Sequence, residues 1–292
     1  MKIAGFTFIR NAIKNDYAIL EAINSILPIC EEMVVAVGQS EDDTLALIQS
    51  IASPKIRIVE TVWDESQREG GRTFALETDK AYAAISPDTD WAFYIQGDEC
   101  VHEDDLPIIK QCMEHYLSDE KVEGLLFNYR HFYGSYDFVA VSRRWYRREI
   151  RVVRFNSAVH SYKDAQGFRK DGRKMFVKHI PACIYHYGWV KPPQGLNNKV
   201  RNFTQFYHDD DWLAANVPPN YQFDYGNAER LTRFEGTHPQ VMHDRIAQQN
   251  WPFQVDAKEL RKRMSWRRKI LQQIEDWTGK RIGEYRNYRI ID

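Results

Sequence analysis

The chain has 292 residues, of which 43% are hydrophobic and 28% charged, with a formal net charge of −1 at pH 7. These values are typical of a globular protein with a sizeable core and exclude a disordered chain, and the balanced charge gives no general attraction for nucleic acid. There is no run of 18 apolar residues, no apolar N-terminal signal segment and no paired or zinc-type cysteine spacing. A cytoplasmic protein with reduced thiols is expected.

The first 130 residues alternate apolar runs with segments of helical periodicity. The runs that predict strands are 3–9, 33–37, 56–59, 91–95 and 124–128, and the predicted helices cover about 17–27, 45–51, 73–85 and 106–117. Apolar strands separated by helices indicate an α/β protein whose parallel sheet is covered on both faces.

Ligands of such sheets bind beyond the carboxyl ends of the strands, and polar residues follow three of the predicted strands. They are Arg10 and Asn11 after the first, Gly38, Ser40 and Asp42 after the second, and Gln96, Gly97, Asp98 and Glu99 after the fourth. No GxGxxG or P-loop pattern occurs, so a nucleotide diphosphate here would meet carboxylates, which requires Mg²⁺ or Mn²⁺ between them. Alternatively, Asp98 and Glu99 cap the helix that follows.

Four segments resemble, in order and spacing, the motifs of family-2 glycosyltransferases of the GT-A fold, bacterial type: 8–11, 34–44, 72–75 and 95–99. The resemblance implies a Rossmann-like, mostly parallel sheet flanked by helices, and an inverting, metal-dependent transfer of a sugar from a nucleotide-diphosphate donor. It assigns donor binding to Arg10, Asn11, Gly38, Ser40, Asp42, Arg72, Gln96 and Gly97, and Mn²⁺ or Mg²⁺ binding to Asp98. The chain departs from the family at Val37 and Gly38, where an acid usually contacts the nucleoside, and at Gln96, which replaces the first acid of the metal motif.

The catalytic base is predicted in the polar stretch 158–169, because the resemblance places the acceptor-side acid there. Ser161 stands at the expected glutamate position, so Asp164 is the predicted base, with Glu149 and Asp171 as alternatives. A turn-stabilising role for Asp164 is the competing interpretation. The basic and apolar alternation of 143–155 suits either a strand lining a phosphate-rich ligand or a solvated strand face.

His186 lies in the distinctive segment 184–193 (IYHYGWVKPP). By resemblance, a late histidine completes the metal shell, which assigns that role to His186. The alternative is a histidine that is hydrogen-bonded within an aromatic core.

Residues 1–200 are predicted to form the catalytic domain and 201–292 a mainly helical extension packed on it. Leu260, Met264, Ile270, Leu271 and Ile274 predict an amphipathic helix whose basic residues are Lys258, Arg261, Lys262, Arg263, Arg267, Arg268 and Lys269. Such a helix lies either on an anionic membrane or, solvated, against the main domain.

The predicted function is a hexosyltransferase-like glycosyltransferase of cell envelope polysaccharide biosynthesis. Its partners would be a nucleotide-diphosphate sugar and a glycan, lipid-linked or other hydroxyl acceptor, with peripheral contact at the inner membrane face and no nucleic acid. The alternatives are a nucleotidyltransferase and a catalytically inactive carbohydrate-binding protein of the same fold.

Overall fold

A computed structural model describes residues 1–67, 69–218, 221, 223–254, 256, 260 and 264–291. The strands are β1 Ile3–Ile9, β2 Glu32–Gly38, β3 Ile56–Thr61, β4 Trp91–Tyr94, β5 Glu99–Val101, β6 Gly124–Tyr133, β7 Ser135–Ala140, β8 Arg148–Arg154, β9 Val159–Tyr162, β10 Gly167–Lys170, β11 Arg173–Lys174, β12 Phe176–Trp189, β13 Leu231–Arg233 and β14 Arg289–Ile290. The helices are α1 Ile19–Ile26, α2 Thr44–Gln49, α3 Arg72–Ala83, α4 Leu106–His115, α5 Pro193–Thr204, α6 Asp210–Asn216, α7 His243–Ala247 and α8 Trp266–Thr278.

The N-terminal half forms a parallel sheet in the order β3-β2-β1-β4. Strands β1, β2 and β4 are buried on both faces, with Ile9, Val35 and Phe93 in one core layer and Phe6 and Tyr94 in the other. This explains why the strands are continuous apolar runs, since successive side chains enter opposite layers. Because the three central strands are parallel, the residues that follow β1, β2 and β4 meet at one edge.

The second half of the sheet is largely antiparallel, in the order β4-β8-β6-β7-β13. Tight turns replace crossover helices there, for example at Gly134 between β6 and β7, and such turns join antiparallel strands. The 14-residue strand β12 runs parallel to β6 and antiparallel to β5, which pairs His186 with Glu99. This pairing brings the late part of the chain to the edge that carries Asp98.

The predicted α/β class, with a sheet flanked by helices, is confirmed, and beyond residue 200 the described chain contains both helices and the short strands β13 and β14. The division at residue 200 stays a prediction, and β13 and β14 extend the main sheet from beyond it. The predicted basic helix begins at Trp266, where the Ser265 hydroxyl accepts from the amide of Arg268. Lys258, Arg261, Lys262 and Arg263 lie outside the described residues. None of the described helices combines the length and apolar character needed to cross a bilayer.

Candidate active site

Asp98 lies at the carboxyl edge of the parallel strands and is only 9% exposed. The ammonium of Lys199, on α5, donates to Asp98 Oδ2 at 3.0 Å and to the carbonyl of Gly188 at 2.8 Å. His186 Nε2 lies 3.8 Å from the same carboxylate oxygen. Burial alone would raise the pKa of Asp98, but the positive charge of Lys199 holds it well below its usual value. Asp98 is therefore a buried, ionised carboxylate with a lysine as its direct partner.

Gly188 marks the point where these groups converge. A Cβ at this position would lie 2.5 Å from Asp98 Oδ2, 2.7 Å from Lys199 Nζ and 2.8 Å from His186 Nε2. Such separations are too short for any side chain, so only glycine allows the three polar groups to approach one another across β12.

A chain of hydrogen bonds fixes the tautomer of His186. His131 Nε2 lies 2.8 Å from the carbonyl oxygen of Tyr146, which can only accept, so this nitrogen carries the proton. His131 Nδ1 is then an acceptor, and His186 Nδ1, 3.2 Å away, must donate to it. Burial lowers the pKa of both histidines, which favours the neutral form of each. We infer that His186 directs the lone pair of Nε2 towards Asp98.

A second ammonium, that of Lys191, lies close to this group and is buried. It donates to the carbonyl oxygen of Asp16 and lies 3.9 Å from the carboxylate of the same residue. Burial, followed by the charge of Lys199, lowers the pKa of Lys191 to about 7. The site thus contains two lysines, of which Lys199 pairs with Asp98 and Lys191 with Asp16.

Glu99 forms a buried ion pair with Arg151. Its two carboxylate oxygens accept from Arg151 at 2.8 Å each, and the Tyr129 hydroxyl donates to it at 2.8 Å. A residue so fully satisfied has a structural role. Neither acid caps the following helical turn, where the His102 side chain accepts from a backbone amide, so the capping interpretation was wrong.

The basic stretch 143–155 does not line a ligand site through its paired arginines. Arg143 pairs with Glu275 at 2.7 Å and Arg147 pairs with Glu284 at 2.9 Å. Arg151 pairs with Glu99, beside Asp98. The three ion pairs connect β8 and the segment before it to the C-terminal region and to the chain next to Asp98. A solvated strand face therefore does not describe these arginines either.

The loops after β1 and β2 are joined by hydrogen bonds between predicted donor-binding residues. The amide of Asn11 donates to Ser40 Oγ at 3.0 Å, and Asn11 Oδ1 accepts from the amide of Glu41 at 2.8 Å. The Ser40 hydroxyl donates to the carbonyl of Gly38 at 2.8 Å. Asn11 has a φ of +53°, which asparagine tolerates better than most residues. The predicted residues Asn11, Gly38 and Ser40 are thus brought together.

Asp42 is occupied by the loop itself. Its Oδ2 accepts from the amide of Lys14 at 2.7 Å, and its Oδ1 accepts from the amide of Thr44 at 3.1 Å and from the Thr44 hydroxyl. These contacts hold the turn that begins α2, and a role for Asp42 towards the donor stays a prediction.

Trp63, two residues after β3, was not singled out by the sequence. A Cβ at Gly38 would lie 2.3 Å from Trp63 Nε1, so glycine is required for the indole to pack there. The guanidinium of Arg10 lies over the same ring at 5.4 Å and donates to the carbonyl of Gln39 at 3.0 Å. The departure from the family pattern at Gly38 therefore has a packing reason, and a tryptophan just past a strand end was the available signal.

Asp164 lies in a loop that touches the site. The Tyr207 hydroxyl donates to Asp164 Oδ2 at 2.8 Å, and a Cβ at Gly71 would lie 2.6 Å from Asp164 Cβ. The amide of Gln96 donates to the carbonyl of the next residue, Ala165, at 3.2 Å. Arg72 follows Gly71 as the exposed first residue of α3. The loop of the predicted base thus joins two segments predicted to bind the donor.

The alternative bases are placed differently. Glu149 is 3% exposed, accepts from Gln166 Nε2 at 3.3 Å, and has a pKa that burial raises to about 7. Asp171 is exposed in the turn between β10 and β11, with a φ of +49°. The assignment of Asp164 as the base stays a prediction, supported by its contact with the site loops.

The described residues do not fit a resident divalent metal ion. The predicted pair of Asp98 and His186 is brought together, but no group of three or more histidine, cysteine or acidic side chains is assembled in the described part of the chain. Gln96 directs its amide towards Tyr94 and Ala165. Lys199 already occupies the carboxylate oxygen that a metal would bind.

Neither protein-family models nor curated proteins match the chain. Among solved structures, S. aureus TarS is similar with 11% identity over 78% of this chain and 68% of its own, at a TM-score of 0.39. A second similar structure is glucosyl-3-phosphoglycerate synthase from Mycobacterium tuberculosis in complex with Mn²⁺, UDP and glucosyl-3-phosphoglycerate. It has 22% identity over 44% of each chain, at a TM-score of 0.30. A 4-diphosphocytidyl-2C-methyl-D-erythritol synthase from Anaerococcus prevotii is similar with 11% identity over 52% of this chain and 70% of its own, at 0.31. The chain thus spans less than half the length of the M. tuberculosis synthase, and TM-scores below 0.5 do not bear on function.

Proposed function

We propose that this protein is a glycosyltransferase that moves a sugar from a nucleoside-diphosphate donor to a hydroxyl acceptor with inversion. The observation that carries the proposal is the buried, ionised Asp98 with Lys199 and His186 at the carboxyl edge of four parallel strands. The loops after β1 and β2 and the start of α3 border the same edge, which is where ligands of such sheets bind. The donor nucleoside would lie towards Trp63 and Arg10, and its diphosphate towards Lys199.

Asp164 would take the proton of the acceptor hydroxyl as that oxygen attacks the anomeric carbon. The bond from that carbon to the donor diphosphate breaks, and the nucleoside diphosphate leaves. Tyr207 would hold the Asp164 carboxylate in place through its 2.8 Å hydrogen bond. The resemblance implies Mn²⁺ or Mg²⁺ at the departing diphosphate, but since the residues around Asp98 do not fit such an ion, no step is assigned to it.

Product analysis tests the function. The protein would be incubated with a panel of nucleoside-diphosphate sugars, with and without glycan acceptors, and the products identified by mass spectrometry. A glycosyltransferase releases nucleoside diphosphate and forms a glycoside or, without acceptor, free sugar. Formation of a nucleoside-diphosphate sugar and pyrophosphate from a nucleoside triphosphate and a sugar phosphate would instead identify a nucleotidyltransferase. Glycan binding without nucleotide binding would identify an inactive carbohydrate-binding protein.

We further propose that the enzyme works at the inner membrane face on a lipid-linked or envelope glycan. Trp266, Ile270 and Trp277 share one face of α8, at spacings of four and seven residues, and the two tryptophans are 67% and 89% exposed. The basic Arg267 and Lys269 flank this stripe and are exposed. Exposed tryptophan beside basic residues suits the interface of an anionic membrane.

Vesicle sedimentation tests the membrane contact. The parent protein should bind phosphatidylglycerol vesicles more strongly than phosphatidylcholine vesicles, and replacing Trp266 and Trp277 by serine should weaken the binding to phosphatidylglycerol vesicles because it removes the apolar contact. Trp212→Ser removes an exposed tryptophan outside the stripe and is the matched control. Equal sedimentation of the parent and the double variant would refute the contact.

A further inference from the structure

We propose that the ammonium of Lys199 is the fixed cation of the donor site and that nucleoside diphosphate binding does not require a divalent metal. The inference rests on the proposed function, because it names the group that receives the donor diphosphate. Asp98 becomes a positioning residue that holds the lysine, rather than a metal ligand.

The first support is the hydrogen bonding of the ammonium. An ammonium has three N–H donors, and two of those of Lys199 are used by Asp98 and by the carbonyl of Gly188. The third has no acceptor among the residues that the structure describes. A phosphate oxygen would supply that acceptor and form a charge-assisted hydrogen bond.

The second support is the rigid seat of the side chain. Lys199 is 7% exposed, and its ammonium lies 5.3 Å from the ring of Trp189 and 5.7 Å from the ring of Tyr17. Helix α5 is anchored by the buried Leu196 and by Asn202, whose side-chain amide donates to Asn15 at 2.6 Å. Because its side chain is already fixed, Lys199 loses little conformational freedom when a ligand binds. In this respect it resembles a bound metal ion.

The third support is the balance of charge around Asp98. A lone carboxylate would repel a diphosphate, and a divalent metal on it would leave one net positive charge. Lys199 neutralises Asp98, and Lys191 lies 3.9 Å from the carboxylate of Asp16, so each of these acids has a lysine partner. With Gln96 in place of the first acid of the metal motif, Asp98 lacks the second acid that this motif supplies to a metal ion. Lys199 thus takes the place of the cation, and the missing acid is consistent with the replacement.

Calorimetric titration with UDP, GDP, CDP and ADP, in EDTA and in Mn²⁺, tests the inference. The parent should bind at least one of these with the same affinity in both buffers. Lys199→Met should weaken that binding in EDTA by about 10- to 100-fold, the range expected for a charge-assisted hydrogen bond, whereas Lys199→Arg should retain most of it. Arg201→Met removes a positive charge from the exposed side of the same helix and is the matched control.

The outcomes separate the two proposals. Binding by the parent in Mn²⁺ alone, or unchanged affinity of a folded Lys199→Met protein in EDTA, would overturn the inference and leave the proposed function intact. No binding of any of the four nucleotides in either buffer would overturn the proposed function and the inference with it. Should Lys199→Met fail to fold, the comparison of the parent in EDTA and Mn²⁺ still decides.

Discussion

Replacing Glu149 by glutamine should make the protein more stable at pH 8 and leave its stability nearly unchanged at pH 4.5. Glu149 is 3% exposed, and no described group donates to its Oε2. Burial raises its pKa to about 7, a change that the charge of Arg151 only partly offsets. The unfolded chain has the ordinary value of 4.5 for this group, so the folded state is the better proton binder between these two values.

The sign and size follow from this difference. Because the folded protein holds the proton more tightly, the contribution of Glu149 to stability is fully present below pH 4.5 and is lost as the pH rises to about 7. The pKa of Glu149 differs by roughly 2.5 between the folded and the unfolded chain, and at 1.36 kcal/mol for each pKa unit this corresponds to about 3 kcal/mol of the free energy of unfolding. Glutamine keeps the shape and cannot ionise, so its variant should recover this amount above pH 7.

Urea unfolding at pH 4.5, 6 and 8 would measure the effect. Glu123→Gln is the matched control of opposite sign, because Arg173 and Lys170 outweigh burial there and lower the pKa of Glu123 to about 2. That variant should lose stability at neutral pH, and the loss should disappear only as the pH falls from 4.5 towards 2. A difference between Glu149→Gln and the parent that is the same at pH 4.5 and pH 8 would refute the reasoning.

Three further predictions concern the site. Asp164→Asn should preserve nucleotide binding and reduce the rate of sugar transfer by about 10²- to 10⁴-fold, which is the usual contribution of a general base to the rate. A turnover close to that of the parent would show that another acid is the base. Arg72→Ala should weaken donor binding in calorimetry by roughly 1–3 kcal/mol, the range for charged hydrogen bonds at a helix N-terminus, and unchanged affinity would show that Arg72 does not contact the donor. Gly188→Ala should displace Asp98 or its partners and reduce nucleotide affinity. In the control Gly195→Ala the added carbon stays 3.4 Å from its nearest neighbour, so this variant should bind nucleotide as the parent does. Equal nucleotide affinity of the two variants would contradict the geometry.

The parallel half of the sheet and its ligand edge could be predicted from the sequence. Apolar runs such as 3–9 and 91–95, which alternate with segments of helical periodicity, predict strands covered on both faces, and the parallel order then puts Asn11, Ser40 and Asp98 on one edge. The convergence of Asp98 and His186 was also predicted, but from the resemblance. Local periodicity predicts these strands because the burial of a strand can be inferred from the pattern of its own side chains.

The partners of the site residues were decided by tertiary structure alone. Lys199 reaches Asp98 across 101 residues of sequence, and Arg151 reaches Glu99 across 52. Both cations look like surface residues in the sequence, although Lys199 lies on the same helix face as the buried Leu196, three residues earlier. A pattern of residue types shows that a side chain faces inward, but it does not show which charge it meets there. The pairing of charges depends on how α5, β8 and β12 pack over the sheet edge. As a result of this packing Asp98, which was predicted to bind a metal ion, binds Lys199 instead.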